Sequence, residues 1–204
     1  MPLEHAGFTV WFTGMSGAGK TTLSQMLAER LRTQGAKVEV LDGDVLRSSL
    51  CKGLGFNKED REENVRRIGV VCELLSRNGI IAIVAAISPY RSMRAQVRSR
   101  IRHFVEVYVE CPLDVLISRD TKGLYEKALA GRIPEFTGVS APYEPPVTAD
   151  VTLHTDHESP EESLQRIWSK LQFLGLVSDS QRELPNTSFK SAKRSAARNA
   201  SDSH

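Results

Sequence analysis

"GMSGAGKTT", residues 14–22, is a phosphate-binding loop by its pattern. Gly14-Met15-Ser16-Gly17-Ala18-Gly19-Lys20-Thr21 satisfies G-x-x-x-x-G-K-[ST], and Thr22 follows. Its flanks supply the required context. "FTVWFT" (8–13) reads as a buried strand. "KTTLSQMLAERLRTQ" (20–34) sets Leu23, Leu27 and Leu31 on one helix face, and Gly35 ends that helix. Each part of the loop has a physical task. Glycines let backbone amides curl around phosphate oxygens, and the helix N-terminus adds partial positive charge. Lys20 is placed to reach the β- and γ-phosphates, and the Thr21 hydroxyl to ligate Mg²⁺. Residues 14–22 are therefore expected to bind ATP as co-substrate, with Mg²⁺ as cofactor.

Outward from the loop, apolar runs alternate with helical patterns. Strands are expected at 37–42, 80–87, 103–111 and 150–155. Helices are expected at 57–79 with Asn57 as N-cap, at 112–120 after Pro112, and at 159–175. The last begins with a capping box of Ser159 and Glu162 around Pro160. Residues 121–147 show no sustained period and read as a long loop or lid. Such alternation predicts an α/β fold of the P-loop NTPase type, a parallel sheet with helices on both faces. Ligands then bind beyond the carboxyl ends of the strands, where loops 14–19, 42–47, 88–94 and 111–120 are expected to converge. One domain is expected over 1–177. The Ser-, Lys-, Arg- and Asn-rich stretch 178–204 holds few large apolar residues and reads as a disordered tail.

Composition excludes several classes. A net charge of +2 over 204 residues carries no large nucleic-acid footprint. The longest apolar run, 79–87, is too short to span a membrane. Cys51, Cys72 and Cys111 are scattered, odd in number and without metal spacing, as in reduced thiols of a cytoplasmic protein. No signal peptide is legible at the N-terminus.

The loop alone does not choose between kinase and GTPase. "NKED" (57–60) and "DTKG" (120–123) spell GTPase motifs, but in reversed order. The first opens a helix and the second follows one, so both read as chance and a small-molecule kinase is favoured. "LDGDVLR" (41–47) sits at the mouth of the second strand. Asp42 and Asp44 are candidates for the metal's water shell or for the acceptor's hydroxyl proton. Arg47, with its bidentate fork, suits an anionic acceptor.

Taken in order, "GMSGAGKTT", "LDGDVLR", "LGFNKEDREENVRRIG" (54–69), "ISPYRSMR" (87–94), "VYVECPLDV" (107–115), "RDTKGLYEKALAG" (119–131) and "FTGVSAPYEPP" (136–146) resemble the adenylylsulfate kinase (APS kinase) family. The likeness covers nearly the whole of 8–175. It implies transfer of the γ-phosphate of ATP to the 3′-hydroxyl of adenosine 5′-phosphosulfate (APS), giving 3′-phosphoadenylyl sulfate and ADP in sulfate assimilation. It also implies a homodimer. Another small-molecule P-loop kinase, or a non-catalytic nucleotide-binding module, are the alternatives.

The resemblance assigns roles residue by residue. Phe56 and Phe136 resemble the aromatic pair that sandwiches the substrate's adenine. Arg47, Arg61 and Asn64 resemble the residues that hold phosphosulfate and ribose, and Lys122 a cation contributed by the lid. Asp44, Ile87 and Ser88 fall at substrate positions. Lys20, Asp42, Asp44 and Ser88 form the catalytic set, Ser88 resembling a serine associated with a phosphoserine intermediate. Direct transfer needs no covalent enzyme. The chain departs from the family's usual wording at Val45 and, in the lid, at Pro134, Glu135, Ser140 and Ala141. It lacks the cysteine-bearing extension of plant relatives, so no redox switch of that kind is expected.

Overall fold

The computed structural model describes residues 7–178. Five parallel strands form one sheet in the order β2-β3-β1-β4-β5. They are β1 (Thr9–Thr13), β2 (Val38–Asp42), β3 (Ile81–Ala85), β4 (Phe104–Glu110) and β5 (Val151–His154). Thr9 pairs with both Ala82 and Phe104, which places β1 in the middle of the sheet with every residue buried. Parallel strands with both faces covered read as unbroken apolar runs.

Successive β1 side chains serve opposite faces. Val10 and Phe12 join a core with Leu23, Leu27 and Leu31 of α1 (Lys20–Thr33) and Ile167, Trp168 and Leu171 of α7 (Pro160–Phe173). Trp11 joins a second core with Val65, Ile68 and Cys72 of α3 (Lys58–Arg77) and Met93 and Val97 of α4 (Arg91–Arg100). A fully buried leucine contributes about 2 kcal/mol, so these layers fix the strand ends on which the loops are mounted. The expected caps are present. The Asn57 side chain accepts from the Asp60 N–H at 2.7 Å, and Ser159 and Glu162 close their capping box.

The structure corrects the sequence reading at three short helices. The mouth of β2 is α2 (Gly43–Ser48), capped by Asp42, and α4 follows the 86–90 turn. The stretch 121–147 is not loop throughout, because α6 (Leu124–Leu129) forms within it after α5 (Leu113–Arg119). Both α2 and α6 have six residues, too few to show a period. The tail expected at 178–204 lies, apart from Ser178, outside the described residues. Among the described residues no helix is long and apolar enough to cross a membrane.

Candidate active site

A cavity of about 350 Å³ opens at the carboxyl ends of β1, β2 and β3. Ser16, Gly17, Gly19, Lys20, Thr21 and Thr22 form one side of it, and Asp42, Asp44, Arg47, Phe56, Arg61, Asn64, Ile87, Ser88 and Lys122 the other. The residues expected at the two substrates thus meet in one space. Four positions differ, Phe136 of the acceptor side among them. Gly14 and Ala18 lie behind the loop's lining, and Met15 packs against the core. Segment 111–120 contributes Leu116, Arg119 and Asp120 to a small crevice behind Gly17 rather than to the cavity.

The phosphate loop leaves β1 through Gly14, where a Cβ would stand 2.4 Å from the Val109 carbonyl oxygen. It enters α1 through Gly19 at φ 101, a conformation that only glycine adopts readily. Lys20 is buried, and its ammonium donates to the Gly14 and Met15 carbonyls at 2.8 and 2.7 Å. Burial pulls its pKa from 10.5 down to about 8, against the opposing pull of Asp44.

On the acceptor side Asp42 has two tasks. One carboxylate oxygen accepts from the Asp44 N–H at 2.9 Å, capping α2, and the other accepts from the Thr21 hydroxyl at 3.1 Å. Asp44 is largely exposed and pairs with Lys122 at 2.9 Å across the cavity mouth. Arg47 donates to the Gly55 carbonyl at 3.0 Å and lies 4.3 Å over the Phe56 ring. The Asn64 side-chain oxygen is buried without a partner.

Mg²⁺ favours hard oxygen ligands and keeps several waters. The Thr21 hydroxyl and the Asp42 and Asp44 carboxylates supply such oxygens at the phosphate loop's end, so the residues present fit the ion. Among the described residues no group of three or more His, Cys, Asp or Glu side chains could hold a metal. A bound Mg²⁺ would take its other ligands from phosphate oxygens and water.

Phe56 is half exposed at the cavity edge. Phe136 is not part of the cavity lining; it packs edge-on against Tyr125 with ring centroids 5.1 Å apart. Arg61 links the two segments. It donates to the Phe56 carbonyl at 2.5 Å, to the Glu135 carbonyl at 2.5 Å and to the Thr137 hydroxyl at 2.9 Å. Ser88 is 3 % exposed and sits at φ 41. Its oxygen accepts from the Trp11 indole N–H at 2.9 Å.

Sequence reasoning missed the groups that hold these residues. Tyr125 donates its hydroxyl to the Ser16 carbonyl at 2.8 Å, and Thr155 donates to the Ala18 carbonyl at 2.9 Å. Asp120, read as part of a chance motif, accepts from the N–H groups of Leu124, Tyr125 and Glu126 and so starts α6. A carboxylate just before a short polar run was the available signal.

Residues 6–154 match the adenylylsulphate kinase family. The chain belongs to the adenylylsulphate kinase family. It is 57 % identical over 175 residues to the adenylyl-sulfate kinase of Picosynechococcus sp., covering 86 % of this chain and 99 % of that one. The Mycobacterium tuberculosis APS kinase, solved in complex with AMPPNP and APS, is 41 % identical with a TM-score of 0.79, over 82 % of this chain and 99 % of that one. A hexameric APS kinase from Thiobacillus denitrificans is 37 % identical with a TM-score of 0.66, over 86 % of this chain and 30 % of that one.

Two lid residues, Glu135 and Ser140, shape the turn that carries Phe136. Glu135 stands at φ 53, in the left-handed region that glutamate enters less readily than asparagine. The Ser140 hydroxyl oxygen accepts from the Phe136 N–H at 2.9 Å. The turn that carries Phe136 thus holds its backbone N–H with a side-chain acceptor. Val45 is exposed and enters neither core.

Proposed function

We propose that this chain transfers the γ-phosphoryl group of ATP to the 3′-hydroxyl of APS, releasing ADP and 3′-phosphoadenylyl sulfate. The observation that carries the reading is a single cavity joining the phosphate loop to Arg47, Phe56, Arg61 and Asn64. The loop's amides and Lys20 hold the β- and γ-phosphates, and the lysine stabilises charge that grows on the transferring group. Thr21 and Asp42 would hold Mg²⁺, which when bound neutralises phosphate charge. Asp44 takes the acceptor side and receives the hydroxyl proton. Arg47, Arg61 and Lys122 hold the phosphosulfate, and Asn64 offers its unpartnered oxygen to a ribose hydroxyl. Phe56, at the cavity edge, stacks on the adenine of APS, and Phe136, packed on Tyr125 outside the lining, is assigned to the adenine's other face on the family resemblance alone. Ser88 borders the acceptor as a structural hydroxyl, since its oxygen is engaged by Trp11.

ADP release with APS, measured against AMP and shikimate as alternative acceptors, tests the reading. Release with APS alone is expected, and equal release with AMP rejects it. We place the protein in the cytoplasm, in keeping with three buried, unpaired cysteines. The assembly we infer is a homodimer, on the family resemblance. Light scattering tests it, and a monomer mass rejects it.

A further inference from the structure

The turn that ends in α4 is held more firmly than a surface loop requires. Ile87, Ser88 and Pro89 present successive carbonyls, and each is taken by a different part of the chain. The Thr13 hydroxyl of β1 donates to Ile87 at 2.7 Å, Arg94 of α4 to Ser88 at 2.6 Å, and the Glu144 backbone N–H to Pro89 at 2.8 Å. Thr13 has given its one hydrogen to Ile87, so the Tyr143 hydroxyl, 3.0 Å away, donates to it in turn. The Ser88 side chain is fixed by Trp11. Together these contacts keep a non-glycine residue at φ 41, a conformation that persists only where its surroundings over-determine it.

Arg94 makes one of these contacts and ties the turn to two further groups. It is 2 % exposed and spends three donors on three separate acceptors. Its Nε donates to Glu106 at 2.7 Å, and its two terminal nitrogens to the Ser88 and Glu144 carbonyls at 2.6 and 2.7 Å. A planar guanidinium reaches three directions at once, which a lysine ammonium on a flexible stem does not reproduce. Glu106 is braced in turn by Arg98 at 3.7 Å. The Glu144 carboxylate accepts from the Arg91 N–H at 2.8 Å, so the segment that Arg94 grips also caps the helix on which Arg94 stands. Ile87, Ser88 and Pro89 line the cavity, whereas Arg94, Glu106 and Glu144 do not.

We propose that Arg94 is a positioning residue for the acceptor: it clamps the 87–89 turn against the 144 segment, and so sets the affinity for APS without touching it. The inference rests on the acceptor assignment given above. Arg94→Lys keeps the charge facing Glu106 and gives up the fork. The expected result is a KM for APS raised about tenfold, about 1.4 kcal/mol, with kcat and the KM for ATP within about twofold. Arg98→Met, in the same ion network but away from the turn, should lower the Tm and leave the KM for APS unchanged. Ser88→Gly accepts φ 41 freely, so the Arg94→Lys penalty should shrink in that background. If Arg94→Lys does not fold, Glu144→Ala is read instead, with an expected rise in the KM for APS of about fivefold for a lost cap.

A folded Arg94→Lys (or, in its place, Glu144→Ala) enzyme with an unchanged KM for APS overturns the inference. So does a parallel rise in the KM for ATP, or a penalty undiminished by Ser88→Gly. A wild-type chain that releases no ADP with APS defeats the acceptor assignment itself, a result distinct from any of these.

Discussion

Lys20 carries its ammonium in a nearly closed setting, and two consequences follow at that residue. Lys20→Met should fold and lose turnover by about 100-fold or more, the scale on which a transition-state donor acts. Steady-state ADP release gives the measurement. The second consequence concerns pH. The folded pKa of about 8 lies below the ordinary 10.5. The unfolded chain therefore binds more protons between those values, and stability rises with pH across the window. Burial of the charge costs roughly 3 kcal/mol below pH 8, and the cost fades toward pH 10.5. In Tm measurements without nucleotide, any advantage of Lys20→Met over wild type should shrink as pH rises from about 7 to 10. Phe56→Ala should raise the KM for APS more than that for ATP, by roughly 1–3 kcal/mol by analogy with base stacking. Equal effects would remove Phe56 from the acceptor site. Ser88→Ala should keep substantial turnover, because the hydroxyl is engaged by Trp11; a folded enzyme that binds both substrates and does not turn over would favour a covalent role.

At the scale of elements, the lid is where the sequence was hardest to read. Strands and long helices were legible because burial on both sheet faces imposes unbroken apolar runs, and Leu23, Leu27 and Leu31 repeat at helical spacing. α4 was not legible, because "RSMRAQVRSR" offers Met93 and Val97 as its apolar contacts, and its third buried residue is Arg94. A buried arginine is spelled like a solvated one. The acceptor side was read from the motifs it shares with a family; the bonds of Arg61 to the Glu135 and Thr137 segment depend on a turn that no local pattern announces. That turn can be tested. Glu135→Asn should stabilise the protein by about 0.5–1 kcal/mol, since asparagine enters the left-handed region at lower cost than glutamate. Urea unfolding at constant m-value measures it, and a loss of stability would mean that the Glu135 side chain matters more than its backbone. α6 depends on one carboxylate. Asp120→Ala removes an acceptor from three N–H groups and should raise the KM for ATP several-fold through the Tyr125 contact to Ser16.

For the whole molecule, the catalytic surface belongs to the sheet's carboxyl edge and makes no call on residues past α7 among those described. A chain ending near Val177 should match the full chain in Tm and APS kinetics at physiological salt; a marked loss in either would show that the remaining residues contribute. The central position of β1 has a further consequence, for synthesis on the ribosome. Its partners are β3 and β4, beginning at Ile81 and Phe104, so the first strand to emerge is paired late. At about 5–20 residues per second the apolar "TVWFT" waits several seconds without a neighbour. The phosphate loop is thus translated well before its partners and cannot take its final shape until Val109 arrives to meet Gly14. During that interval the nascent chain exposes a strand that is buried at every residue once folded, which makes β1 a segment a chaperone would be expected to cover.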